Sequence, residues 1–143
     1  MKSFKLGTDA GDHVTVEVHE RTYEGDDWLA ATISIRSGAF AGSFDAALMT
    51  CDFQPFERQL QELYESLRGT ATFSTIERQL EVNCVGNERG GISIDGVAQD
   101  RAGDGNQLRF QFDLDQTYLP ELISELQQIQ SEFPNKLHPE FPQ

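Results

Sequence analysis

Apolar side chains recur in the same order twice along this chain, and that recurrence limits what it can fold into. At an offset of 66 residues, Val14, Val16 and Val18 fall on Leu80, Val82 and Cys84. Phe44, Ala46 and Leu48 fall on Phe110, Phe112 and Leu114. Phe53, Phe56, Leu60 and Leu63 fall on Leu119, Leu122, Leu126 and Ile129. Between these blocks the register slips, because Ile33-Ser34-Ile35 matches Ile92-Ser93-Ile94 at an offset of 59. Any two amphipathic segments of one type share a period, so one matching block carries little. The same order of blocks, with one offset recovered on both sides of the slip, predicts a duplicated chain with two similar halves.

The pattern inside each half sets the element types. Alternation of apolar and polar residues predicts strands over 3–6, 13–22, 28–36 and 41–49 in the first half. The second half repeats them over 70–75, 79–85, 91–98 and 107–114. Steps of three and four then predict an amphipathic helix over 53–67, with Asp52 as its cap and Gly69 near its end. A second helix over 118–132 has Thr117 as the expected cap. Pro55 and Pro120 each fall in a first turn, where a missing N–H costs little. The expected fold is α+β: about eight antiparallel strands and two amphipathic helices, as two ββββα halves related by a pseudo-two-fold. One sheet, two packed sheets and a partial barrel all satisfy this pattern. Residues 1–143 are expected to form one domain, with pseudo-repeats 3–69 and 70–133. The tail 134–143 carries Pro134, Pro139 and Pro142 and is expected to be extended and loosely held.

Charge narrows the partners. The chain carries a formal net charge of −13. Such a surface repels nucleic-acid phosphates and anionic membranes and attracts a basic partner or cations. No apolar run reaches the ~20 residues of a membrane span, and no export signal comes after Met1. Two cysteines without such a signal predict a reducing, cytoplasmic setting. Cys84 alternates with Leu80 and Val82 and reads as a buried, inert thiol. Asp52 beside Cys51 opposes a thiolate there.

Catalytic motifs are missing. No Gly-x-Ser-x-Gly elbow, phosphate loop or dinucleotide fingerprint occurs. His13 and His19 are six residues apart on one predicted strand, about 20 Å along it, too far to share a metal ion. Carboxylates crowd Glu17 to Asp27, but the spacing of a calcium loop is absent there and near Asp104. Neither a metal nor a cofactor is expected. One segment does suit a partner: Tyr23, Glu24, Asp26, Asp27 and Trp28 form an acidic loop flanked by two aromatics. Aromatics supply contact area and carboxylates supply steering. The competing reading of Trp28 is a strand start that fills one end of the core. Besides a non-enzymatic binding protein, two alternatives are an enzyme with scattered carboxylates in a cleft between the halves and a structural subunit that self-associates through a sheet edge.

Several of these residues also carry a family resemblance. Trp28-Leu29, Ile33-Ser34-Ile35, the run Gly38 to Phe44, helix residues Phe56, Leu60 and Tyr64, Asp115 to Leu119, and Phe133-Pro134 resemble a family of small bacterial proteins. Some of its members are immunity proteins of the WapI type, encoded beside contact-dependent toxins. The resemblance runs from about residue 13 to 134. Where members often carry an Asp-Gly-Asn-Trp-like run, this chain has Gly25-Asp26-Asp27-Trp28. The resemblance implies a cytoplasmic protein that works by binding, with a toxin as its partner.

Overall fold

The computed structural model describes residues 2–136. The chain forms β1 (Lys2–Gly7), β2 (His13–Arg21), β3 (Trp28–Ser37), β4 (Phe40–Met49) and α1 (Gln54–Ser66). It then repeats the order with β5 (Arg68–Ser74), β6 (Leu80–Asn87), β7 (Gly91–Gln99), β8 (Gln107–Asp115) and α2 (Leu119–Glu132). The strands make two four-stranded antiparallel sheets, β1-β2-β3-β4 and β5-β6-β7-β8. The fold is therefore α+β, with two similar ββββα halves. Each sheet is a meander, which short turns between consecutive strands favour. The expected tail from Pro134 is described only as far as Lys136, and 137–143 lie outside the described residues.

One face of each sheet is buried. Val14, Val16 and Val18 of β2, and Leu80, Val82 and Cys84 of β6, all have no exposed surface. The helix stripes are buried as the period of 3.6 requires, with Phe56, Leu60 and Leu63 on α1 and Leu122, Leu126 and Ile129 on α2. All these side chains belong to one core. At its centre four phenylalanines from β1, the entry to α1, α1 and β5 meet. Phe73 lies 5.2 Å from Phe4, 5.7 Å from Phe53 and 5.5 Å from Phe56 between ring centroids. These are edge-on or tilted arrangements, which the ring quadrupoles prefer.

The helices also close two sheet edges. α1 packs along β5, α2 packs along β1, and the helices touch each other. Gln59 Oε1 of α1 accepts the Thr72 N–H of β5 at 2.8 Å. Glu125 Oε1 of α2 accepts the Lys5 N–H of β1 at 3.0 Å. Gln59 and Glu125 occupy matching helix positions, so each half's helix shields an edge that otherwise exposes unpaired backbone groups. Glu57 Oε1 takes the Gln130 side-chain N–H at 2.8 Å across the helix seam.

Three details depart from the sequence pattern. Asp52 does not cap α1. A single 3-10 turn, Thr50–Asp52, comes first, and the Asp52 carboxylate reaches back to the Met49 N–H at 2.9 Å. Asp115 rather than Thr117 caps the corresponding turn, accepting the Thr117 N–H at 2.8 Å. Leu67, at φ +63°, makes the left-handed end of α1, and Gly69 is already in β5. The inserted turn explains the first two shifts, because it moves each helix start downstream of the residue that resembles its cap.

The offset of 59 is also corrected. Val16 pairs with Ile33 and Val82 pairs with Gly96. Ile33 therefore corresponds to Gly96, and Ile35 to Ala98, not to Ile92 and Ile94. A slip of an even number of residues keeps every side chain on its face, so alternation alone cannot detect it. Gly96 is required where it stands. A Cβ there would lie 2.6 Å from the Phe110 ring, which crosses β7 at this point.

Phe73 touches three other rings and is fully buried, whereas Phe40 is 67% exposed. Phe73→Ala is expected to destabilise the fold by about 3–5 kcal/mol, and Phe40→Ala to stay within about 0.5 kcal/mol of wild type. Equilibrium urea unfolding checks both, and equal effects would mean the four rings are not the centre of the core.

Candidate functional site

The acidic loop joins β2 to β3, and a β-bulge shapes its base. Val18 pairs with Ala31 and Glu20 with Ala30, leaving His19 as the extra residue. A bulge reverses the facing of the residues beyond it. Arg21 is thereby paired with Leu29, a buried residue, and its side chain turns inward and is 13% exposed. There it meets Asp27, itself 1% exposed, with Nη1 3.5 Å from Oδ1.

This pair organises everything around it. Arg21 Nη1 donates to the Asp26 carbonyl at 2.6 Å, and Nη2 donates to the Pro134 carbonyl. Asp27 Oδ1 accepts the Lys136 N–H at 2.7 Å, and the Asp27 carbonyl accepts the Thr50 N–H at 2.9 Å. The segment 134–136 is thus tied to the first half's hairpin, where a loosely held tail was expected. Asp26 Oδ1 accepts the N–H groups of Asp27 and Trp28 at 2.7 and 3.3 Å, the local turn that aspartate favours. Thr22 N–H donates to the Trp28 carbonyl at 3.0 Å, closing the loop.

Of the five residues singled out from sequence, Tyr23 and Glu24 stand at the exposed tip, Tyr23 at 74%. Asp26 is half-buried and spends one carboxylate oxygen on neighbouring N–H groups. Asp27 is internal, so its charge is met by Arg21 and backbone N–H rather than offered to solvent. Trp28 begins β3 and is half-buried; Leu29, not Trp28, belongs to the core. Pattern reading misses Arg21 as the organiser. The available signal is a single cation among five carboxylates, but the bulge that turns it inward leaves no mark on composition.

The two thiols are poor nucleophiles. Burial, with Asp52 adding to it, pushes the Cys51 thiol up. Burial takes Cys84 up to about 12. Burial raises Asp52 to about 6 even though it accepts the Met49 and Ile76 N–H groups. Away from the loop, a groove of about 290 Å³ is lined by Lys5, Asp9, Glu121 and Glu125. Its carboxylates are partly engaged, Asp9 with the Lys5 ammonium at 2.6 Å and Glu125 with the Lys5 N–H. Among the described residues no cluster of three histidines, cysteines or carboxylates has the geometry of a metal site. No described helix is long and apolar enough to cross a membrane.

Arg21→Met takes the guanidinium away from the buried Asp27 carboxylate, so a loss of about 3–5 kcal/mol is expected in chemical unfolding, with smaller loss for the double variant Arg21→Met/Asp27→Leu. A double-variant loss equal to the sum of the Arg21→Met and Asp27→Leu losses would mean that the two groups are not coupled. Asp52 holds its proton more tightly folded than unfolded, so its penalty is absent below pH about 4 and complete above pH about 6. Wild-type stability relative to Asp52→Asn should therefore fall by up to about 3 kcal/mol as pH rises through that window. A pH-independent difference would refute the assignment.

Comparison with known proteins bears on the whole chain. No curated protein matches it. Among solved structures it is similar to the crystal structure of WHY3 from Arabidopsis thaliana, with 9% identity over 98% of this chain and 90% of that one and a TM-score of 0.48. The model of the Immunity protein WapI-like family matches residues 5–134, which takes in the second half of β1, the other seven strands, both helices and the loop that Arg21 secures. With nearly the full chain matched, this protein belongs to the WapI-like immunity protein family.

Proposed function

We propose that this chain is an immunity protein that neutralises a toxin by binding it, without catalysis or a cofactor, and that the toxin presents a basic surface. Family membership supports the immunity role. The net charge of −13 supports a basic partner and disfavours nucleic acid. The carrying observation is the loop itself. Tyr23 and Glu24 are displayed on a hairpin whose base is fixed by Arg21, Asp26 and Asp27. A contact held in place before encounter loses less entropy on binding than a flexible one. Carboxylates around it raise the rate of encounter with a cationic face.

Neutralisation would take place in the cytoplasm, a compartment in which free thiols such as Cys51 and Cys84 persist. The matching roles of Gln59 and Glu125 support an origin by duplication, and the shared core, from Phe4 to Phe133, supports reading the chain as one domain.

The test uses the polypeptide of a neighbouring toxin gene and stopped-flow association. Glu24→Lys should slow association several-fold at low salt, with the difference shrinking as salt rises, because exposed charges are screened. Tyr23→Ala should act mainly on dissociation. If both variants protect cells and bind as wild type does, the loop is not the contact. If wild type itself neither binds nor protects, the immunity reading fails.

A further inference from the structure

Four strands lie at sheet edges, and three are guarded. Helix side chains cover β1 and β5 at Lys5 and Thr72. β8 carries Arg109 and Asp113 at exposed positions, charges that discourage pairing. The first half of β4 is different. Phe40, Ala41, Gly42 and Ser43 are all exposed, and the run to Phe44 contains no lysine, proline or charge.

The open edge has a definite pairing direction. The Asp45 carbonyl accepts the Gln79 side-chain N–H at 3.3 Å, so Asp45 turns its backbone away from β3. Alternate residues of an antiparallel strand turn both backbone groups to the same side. Ala41 and Ser43 therefore present their N–H and carbonyl groups outward.

The geometry points to a second copy of this chain as the occupant, paired antiparallel through β4 about a two-fold axis at Gly42. The segment Phe40-Ala41-Gly42-Ser43-Phe44 is nearly palindromic. An axis at Gly42 sets Ala41 opposite Ser43 of the second copy, and Ser43 opposite its Ala41, which makes hydrogen-bonded pairs of the four outward-facing residues. Phe40 then lies beside Phe44 of the other copy on the inner face, next to a groove lined by the apolar Ile35, Ala98 and Leu108 and by the polar Asp100, Asn106 and Gln107. An isologous contact of this kind closes as a dimer. No charges meet within the paired run 40–44, and the pairing stops before Asp45, whose carbonyl is held by Gln79. The Asp100 carboxylate in that groove and the net charge of each copy oppose the pairing, and salt screens both. Five residues a side bury less than the ~1,200 Å² of a stable interface, so the dimer forms at high concentration. This pairing goes beyond the immunity reading and does not depend on it.

Sedimentation equilibrium of the full chain tests it, from about 20 µM to about 1 mM, the range for a contact this small. The average mass should rise above 16.1 kDa with concentration, and more steeply in high salt. Ala41→Pro removes an outward N–H without touching the β3–β4 ladder and should weaken association at least tenfold. Gly42→Lys places two like charges on the axis and should do the same; a side chain there meets nothing within 4 Å in the single chain. Thermal unfolding of dilute samples shows which variants keep the fold. A mass of 16.1 kDa throughout, association that weakens with salt, or a folded variant that associates as wild type does would each overturn the assignment.

Discussion

The contact among Phe4, Phe53, Phe56 and Phe73 is the one on which the rest of the structure depends. Phe4 comes from the first strand of one half and Phe73 from the first strand of the other, with rings 5.2 Å apart. Phe53 and Phe56 bring α1 to the same point. Neither sheet can cover its own apolar face, because each is a single layer with a single helix per half. The aromatic contact joins the halves so that each supplies what the other lacks. Helix α1 then lies on β5 and α2 on β1, and their polar side chains complete the edges of those strands.

The hydrogen bonds at the base of the acidic loop come from a second, smaller constraint. A bulge of one residue at His19 turns Arg21 toward the interior, and an internal arginine needs a carboxylate. Asp27 supplies it, and the remaining hydrogen bonds of the pair hold the Asp26 and Pro134 carbonyls and the Lys136 N–H. The first and last of the runs that carry the resemblance, Trp28-Leu29 and Phe133-Pro134, are thereby brought near each other. Family membership covers this hairpin and Pro134, which Arg21 ties to it, since residues 5–134 match the family.

Much of this is legible in the sequence because burial imposes periods that survive in the order of residues. Strands show in the alternation at Val14, Val16 and Val18, and helices in the spacing of Leu60 and Leu63 or Leu122 and Leu126. The departures have equally definite causes. Period alone matches Ile33 to Ile92 because a two-residue repeat is blind to even slips, whereas the ladders set Ile33 against Gly96. Asp52 and Thr117 look like caps of long helices, but an intervening 3-10 turn changes which N–H groups lie in reach. Asp27 reads as surface charge beside Glu24, since composition does not say which of five carboxylates an arginine will meet.

The order of residues by itself determined the α+β class, the two ββββα halves, the strand and helix positions and the negative surface. Each is a property of local period or of summed charge, and neither needs a contact between distant residues. Only the tertiary structure decided that the strands divide into two sheets, that helices guard the edges of β1 and β5, and that Arg21 and Asp27 face inward. Those outcomes depend on long-range packing and on one inserted residue at a bulge. A single-residue insertion reverses the facing of every side chain after it until the strand ends, while leaving the composition and the period almost unchanged.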